Sequence, residues 1–252
     1  MMPSAKSGFI SPFLSSVGRW LVLLALGFVC LQLFFVLRIA AMLVINPESS
    51  AFERSEAYRL ALQGESMWRQ SWTPYDSISD NLKRAIIASE DGDFVYHDGV
   101  EWEAIEKAWA KNAKSEQRVQ SAGKSKGKAA KIVGGSTITQ QLAKNLLLSG
   151  ERHLWRKGQE FVLSMALETF LTKRRILEIY LNHVEWGQGV FGAQAAAQRY
   201  FKKNAAQLSP LEAAKLAVML PRPKYFEKNL QSAYLNGRAQ TISARMADAQ
   251  LP

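Results

Sequence analysis

The sequence predicts a mainly α-helical domain carried behind one N-terminal membrane helix. Three observations point there: a long apolar run near the start, several helix-start signals followed by apolar residues three and four apart, and almost no alternation of β-branched residues. At 252 residues the chain can hold one sizeable domain plus an anchor.

The apolar run WLVLLALGFVCLQLFFVL extends from Trp20 to Leu37, and a shorter piece follows Arg38 from Ile39 to Ile45. A helix crossing a bilayer needs roughly 20 apolar residues, and Arg19 and Arg38 can reach the interfaces with their long side chains. A cleaved signal peptide has an apolar core of only about 7–15 residues and small residues at the cut. This run is longer, and Leu43-Val44-Ile45 offers no such cut. The expected division is therefore a cytoplasmic tail over 1–16, an anchor over 17–45, a juxtamembrane region over 46–74 and a catalytic-sized domain over 75–252. Lys6 and Arg19 precede the span and no acid occurs before Glu48, so the N-terminus is expected to stay cytoplasmic and the domain to lie outside. The single cysteine, Cys30, falls inside the span, which leaves the exported domain without a disulfide.

The formal net charge of +10 is unevenly placed. Between Lys107 and Lys131 there are eight basic residues and one acid, while the rest of the domain is nearly balanced. That pattern describes one basic segment rather than a nucleic-acid-binding surface. Residues 112–133 lack apolar periodicity and mix Ala, Gly, Ser and Lys, as expected of a solvated loop able to rest on anionic lipid.

Beyond Asn46-Pro47 the elements read as helices. Ser79 is the expected cap of a helix from about Asp80 to Glu90, with Leu82, Ala85 and Ile86 on its inner face. Trp102, Ile105 and Trp109 recur at helical spacing behind Asp98. Ile138, Leu142 and Leu146 do the same behind Ser136 or Thr137, and Gln140 is placed to close a capping box on Thr137. Ser209-Pro210-Leu211-Glu212 combines a capping serine, proline at the first helical position and glutamate at the third.

Three clusters can carry chemistry. AIIASEDGDFVYHDGVEW, residues 85–102, puts Glu90, Asp91 and Asp93 at the negative pole of a helix, where carboxylates are disfavoured by about 0.3–1 kcal/mol each. Crowded carboxylates raise one another's pKa, as a general base needs; a metal-binding or capping loop is the competing reading. GGSTITQQLAKN, residues 134–145, sets paired glycines and hydroxyls at a helix start, which suits an anion, with Lys144 adding a point charge. It is no P-loop, because Arg118 stands where the leading glycine would be needed before Gly123-Lys124-Ser125. In RHLWRKGQE, Glu160 follows Arg156 by four residues and Lys157 by three, one helix face that could equally be a surface ion pair.

Taken together these residues resemble glycosyltransferase family 51, the peptidoglycan polymerases, over about residues 75 to 246. Five motifs occur in order: Glu90-Asp91 with Phe94, His97 and Gly99; Gly134 to Asn145; Arg156-Lys157 with Glu160; Ile176 to Asn182 with Gly187, Gly189 and Gly192; and Leu208, Glu212, Ala213 and Leu216 with Pro221 and Pro223. The resemblance implies a lysozyme-like helical fold, lipid II as acceptor and a growing glycan on undecaprenyl diphosphate as donor. It implies that Glu90 is the general base and Glu160 the second essential carboxylate, which positions the donor or a divalent cation such as Mg or Mn; no organic cofactor is expected. It further implies substrate contacts from Asp91, Phe94, Ser136, Thr137, Gln140, Gln141, Lys144, Asn145, Arg156 and Lys157, with Lys144, Arg156 and Lys157 meeting the diphosphate. By analogy with inverting glycosidases the two carboxyl groups are expected to stand apart, with room for the acceptor. His97 is expected to be structural. Expected partners are these lipid-linked substrates, membrane lipids and cell-division proteins, with no nucleic acid, at the cytoplasmic (inner) membrane with the domain periplasmic.

A transpeptidase partner domain is not expected. Its three short signatures occur only in reversed order and in unsuitable places (Lys6-Ser7-Gly8, Ser79-Asp80-Asn81, Ser121 to Lys124), and 29 residues follow Pro223. A lysozyme-like hydrolase would share the fold without needing the phosphate-facing cations, and a non-enzymatic adaptor would need only the basic segment.

Overall fold

The computed structural model describes residues 10–65, 67–103, 135–148 and 154–252, together with 106, 110 and 113. Ile105, Trp109, Gly134 and nearly all of the basic segment 112–133 lie outside the described residues. Helix α1 runs Ile10–Ala41, and its stretch Ser16–Ala41 is long and apolar enough to cross a membrane once. It starts earlier than the apolar run suggests. Pro12 falls in the first turn, where backbone N–H groups have no intrahelical partner to lose.

The chain then forms α2 (Ala51–Leu62), α3 (Asp80–Glu90), α4 (Ile138–Leu147), α5 (Leu154–Phe170), α6 (Lys173–His183), α7 (Ala193–Phe201), α8 (Pro210–Met219), the single turn α9 (Pro223–Phe226) and α10 (Ala233–Arg245). Local caps set the boundaries. The Ser79 hydroxyl accepts from the Asn81 N–H, Thr137 and Gln140 form a reciprocal capping box, and Ser209 and Glu212 form another around Pro210. All three starts agree with the sequence reading.

Two helix groups share one core. α8 packs against α3 and α10, burying Leu82, Ile86, Leu216 and Ile242; α4 packs against α5 and α6, burying Leu142, Leu146, Leu163, Leu167 and Ile176. Residues 46–74 are more than a juxtamembrane connector. They hold α2, whose Ser50–Glu53 capping box is tied to α6 by His183, with Nδ1 2.9 Å from the Glu53 carboxylate.

A small sheet was not legible in the pattern. Its strands β1 (Arg69–Gln70), β2 (Glu185–Gly187) and β3 (Val190–Phe191) lie in the order β1-β3-β2, with β1 parallel and β2 antiparallel to β3. Two- and three-residue strands are too short to alternate visibly. Gly189 makes the turn at φ +64°, where a Cβ would fall 2.0 Å from the Met67 carbonyl oxygen, so only glycine fits. The sheet fixes the direction of Glu185.

The anchor is docked on the domain. Ile39 and Met42 are buried in the core, α1 lies along α5, and Gln32 and Gln159 exchange side-chain amide hydrogen bonds of 2.9 and 3.3 Å. Arg175 on α6 donates to the Met42 and Ile45 carbonyls at 2.8 and 3.1 Å, covering the end of α1.

Candidate active site

The site is a groove of about 480 Å³ where the ends of several elements converge. α4 contributes Gln141, Lys144 and Asn145, with Ser136 just before it; α5 contributes Arg156, Lys157 and Glu160. The remaining lining comes from Phe52, Leu148, Val184, Glu185, Leu220 and Pro223.

Glu90 is the last residue of α3 and reaches this groove through Gln141. The Gln141 amide N–H donates to Glu90 Oε2 at 2.8 Å, and the Tyr180 hydroxyl donates to Gln141 Oε1 at 3.0 Å. Tyr180 thereby fixes which end of the amide faces the carboxylate. Burial pushes the Glu90 carboxyl above its ordinary value; Asp91 adds to the rise, while Gln141, Ser89 and Lys144 oppose it. The leading cause is thus loss of water, not the carboxylate crowding inferred from the sequence.

The cations form the other half. Glu160 is 3% exposed and pairs with Lys157 and, at 3.4 Å, with Arg156, as the i,i+3 and i,i+4 spacing requires. Arg156 Nε is buried with no hydrogen-bond partner among the described residues, a donor left for an anion to satisfy. Burial lowers the Lys144 pKa, and Glu160 and Glu90 both pull it back up. Lys144 therefore feels both carboxylates, and Glu90 and Glu160 each bond to other partners rather than to one another.

Four expected substrate contacts prove to be internal. Phe94 is fully buried under Lys173, whose ammonium lies 4.7 Å from the ring centroid. Thr137 and Gln140 use their side chains on the α4 cap, and the Thr137 hydroxyl also donates to the Gly99 carbonyl at 2.6 Å. Asp91, 4% exposed, accepts the Ile138 N–H at 2.9 Å and lies 2.8 Å from His97 Nε2. His97 Nδ1 accepts from the Gly99 N–H at 3.1 Å, a structural role as expected. These residues lock the end of α3 to the start of α4, and so hold Glu90 beside Gln141. Ser136, Gln141, Lys144, Asn145, Arg156, Lys157 and Glu160 do line the groove.

The donor set does not fit a divalent cation at Glu160, because two cationic side chains already occupy its oxygens. Asp91, His97 and Glu101 bring ligand atoms within 4.8 Å of one another. The Asp91 oxygens there are already engaged by Ile138 and His97.

The transglycosylase family model matches residues 58–247. The chain belongs to the transglycosylase family. Its relatives include proteins named biosynthetic peptidoglycan transglycosylase. One from Burkholderia thailandensis is 51% identical over 241 residues, covering 94% of this chain and 89% of that protein. One from Herminiimonas arsenicoxydans is 49% identical over 235 residues, covering 92% and 96%. One from Ralstonia nicotianae is 51% identical over 236 residues, covering 90% and 94%. The family match starts within α2, consistent with that helix belonging to the transglycosylase domain.

The motif reading missed Tyr180, Glu185 and Phe52. Tyr180 sits inside a quoted motif and Glu185 beside its glycines, but the burial that gives each a role arises only when α6 and β2 fold against α4 and α9.

Proposed function

We propose that this transglycosylase polymerises lipid II into peptidoglycan strands, inverting the anomeric carbon of a chain carried on undecaprenyl diphosphate. The observation that carries the reading is a water-shielded carboxyl, Glu90, held by Gln141 beside a groove containing Lys144, Arg156 and Lys157. Glu90 takes the proton of the acceptor 4-hydroxyl as that oxygen bonds to the donor's anomeric carbon. The bond from that carbon to the diphosphate breaks, and the departing negative charge meets the three cations. Glu160 orients Arg156 and Lys157 from the same helix face.

The inner membrane, with the domain on the periplasmic face, suits this reading. Lys6 and Arg19 precede the span, favouring a cytoplasmic N-terminus, and the substrates are lipid-anchored.

The test is labelled lipid II supplied to the purified full chain, read as a ladder of lengthening strands. Glu90→Gln is expected to lower the rate at least about 100-fold while the far-UV circular dichroism stays unchanged. Short sugars released from finished peptidoglycan, without a ladder, would instead identify a hydrolase. Normal turnover by Glu90→Gln would remove Glu90 from its role.

A further inference from the structure

Glu185 stands apart from the two carboxylates assigned above. It comes from strand β2, is 9% exposed, and lines the same groove as Lys144, Arg156, Lys157 and Glu160. Its Oε1 is buried with no hydrogen-bond partner among the described residues. Lys224 Nζ lies 3.2 Å away as an ion pair and 2.8 Å from Glu56, one ammonium shared between two carboxyl groups, with no hydrogen bond to Oε1. A buried polar atom left without a partner costs free energy. An unsatisfied oxygen on the wall of a substrate groove is a contact awaiting its ligand.

We propose that Glu185 is a substrate-contacting specificity residue, whose carboxyl group donates a hydrogen bond to an acyl oxygen of an N-acetylated saccharide in the groove. This rests on the reading that the groove takes such a saccharide.

The surroundings keep the donating proton in place. Lys224 is shared between Glu185 and Glu56, and Arg59 is committed to Glu56. Glu227 adds a further negative charge, with its Oε2 accepting the Gln188 N–H at 3.1 Å, and the Tyr200 hydroxyl donates to the Trp186 carbonyl at 2.8 Å. Burial first, and then Glu56 and Glu227, raise the Glu185 pKa to about 7, against the opposing pull of Lys224. Below that value the groove presents an O–H; above it, a carboxylate that turns away carbonyl oxygens. Glu90 and Glu160 cannot fill this role, since Gln141, Arg156 and Lys157 already engage them.

The experiment measures polymerisation by the full-length protein against lipid II concentration over a range of pH. Glu185→Ala is expected to raise KM roughly tenfold, the worth of one such hydrogen bond, with kcat within about threefold of wild type. The wild-type KM is expected to climb as pH passes about 7, while that of Glu185→Gln, whose amide donates at every pH, stays flat. An unchanged KM for Glu185→Ala, or the same pH-dependent climb in Glu185→Gln, overturns the proposal. If Glu185→Ala does not fold, the Glu185→Gln comparison decides alone. Binding of fluorescent lipid II is measured in parallel in the Glu90→Gln background, where turnover is blocked. Binding that Glu185→Ala weakens, in a protein whose wild type forms no polymer, upholds Glu185 and removes the polymerase reading. Binding indifferent to Glu185→Ala removes Glu185 alone.

Discussion

Replacing Asp91 with asparagine keeps the shape of the side chain and removes one acceptor from a fully used pair. His97 accepts the Gly99 N–H at Nδ1, so its proton sits on Nε2 and points to Asp91 Oδ1, 2.8 Å away. Asp91 Oδ2 faces a second donor, the Ile138 N–H, at 2.9 Å. Asparagine has one oxygen and one NH2, so either amide orientation sets a donor against a donor in a buried place. Leaving such a group unsatisfied costs about 1–3 kcal/mol, and losing a carboxylate at the α4 N-terminus costs about 0.3–1 kcal/mol more. For a domain of this size each 1 kcal/mol shifts Tm by about 2–4 °C, so Asp91→Asn is expected to lower Tm by several degrees. The joint between α3 and α4 loosens with it, Gln141 drifts from Glu90, and polymerisation falls together with stability. The assay is far-UV circular dichroism melting in detergent alongside lipid II turnover. Turnover lost at unchanged Tm would refute the reasoning and return Asp91 to direct substrate contact.

Glu90 is expected to trade stability for chemistry. Its pKa in the fold lies above the ordinary 4.5, so the native state holds more protons than the unfolded state between those two values. Stability therefore falls as pH rises through that window, and the loss persists above it. Glu90→Gln should melt higher than wild type at mildly alkaline pH and lose that advantage below about pH 4.5; a lower melting point at alkaline pH would contradict this. The Gln32–Gln159 pair joins the anchor to the helix that carries the cations. Gln32→Leu should cost about 0.6–2 kcal/mol, and adding Gln159→Leu should restore part of it. Strictly additive losses in that double-mutant cycle would show no coupling between the two amides.

What the sequence disclosed was whatever its chemistry settles within a few residues. Ser79, Thr137 with Gln140, and Ser209 with Glu212 start helices because a side-chain oxygen meets an N–H two or three positions on. Arg156, Lys157 and Glu160 share a face for the same short-range reason. β1 pairs with β3 across more than a hundred residues, as in Arg69 with Val190, and β2 and β3, though neighbours in the chain, are too short for alternation to show. Motif membership placed Phe94, Thr137 and Gln140 near the site without telling which way each side chain faces. The local run of carboxylates suggested crowding as the cause of a raised Glu90 pKa, whereas burial leads it, and burial is a property of the whole fold.

The amide pair between α1 and α5 has a bearing on how substrate arrives. Gln32 lies nine residues before the end of α1, about 14 Å along a helix. With α1 seated in a bilayer, Gln159 is drawn below the rim of the membrane, and Trp155, Val162 and Met165, all exposed on the same helix, meet acyl chains there. Arg156 and Lys157 then ride near the headgroup layer. On the proposed function, a prenyl-tethered sugar would slide sideways into the groove without its tail leaving the lipid, which confines the search for substrate to two dimensions.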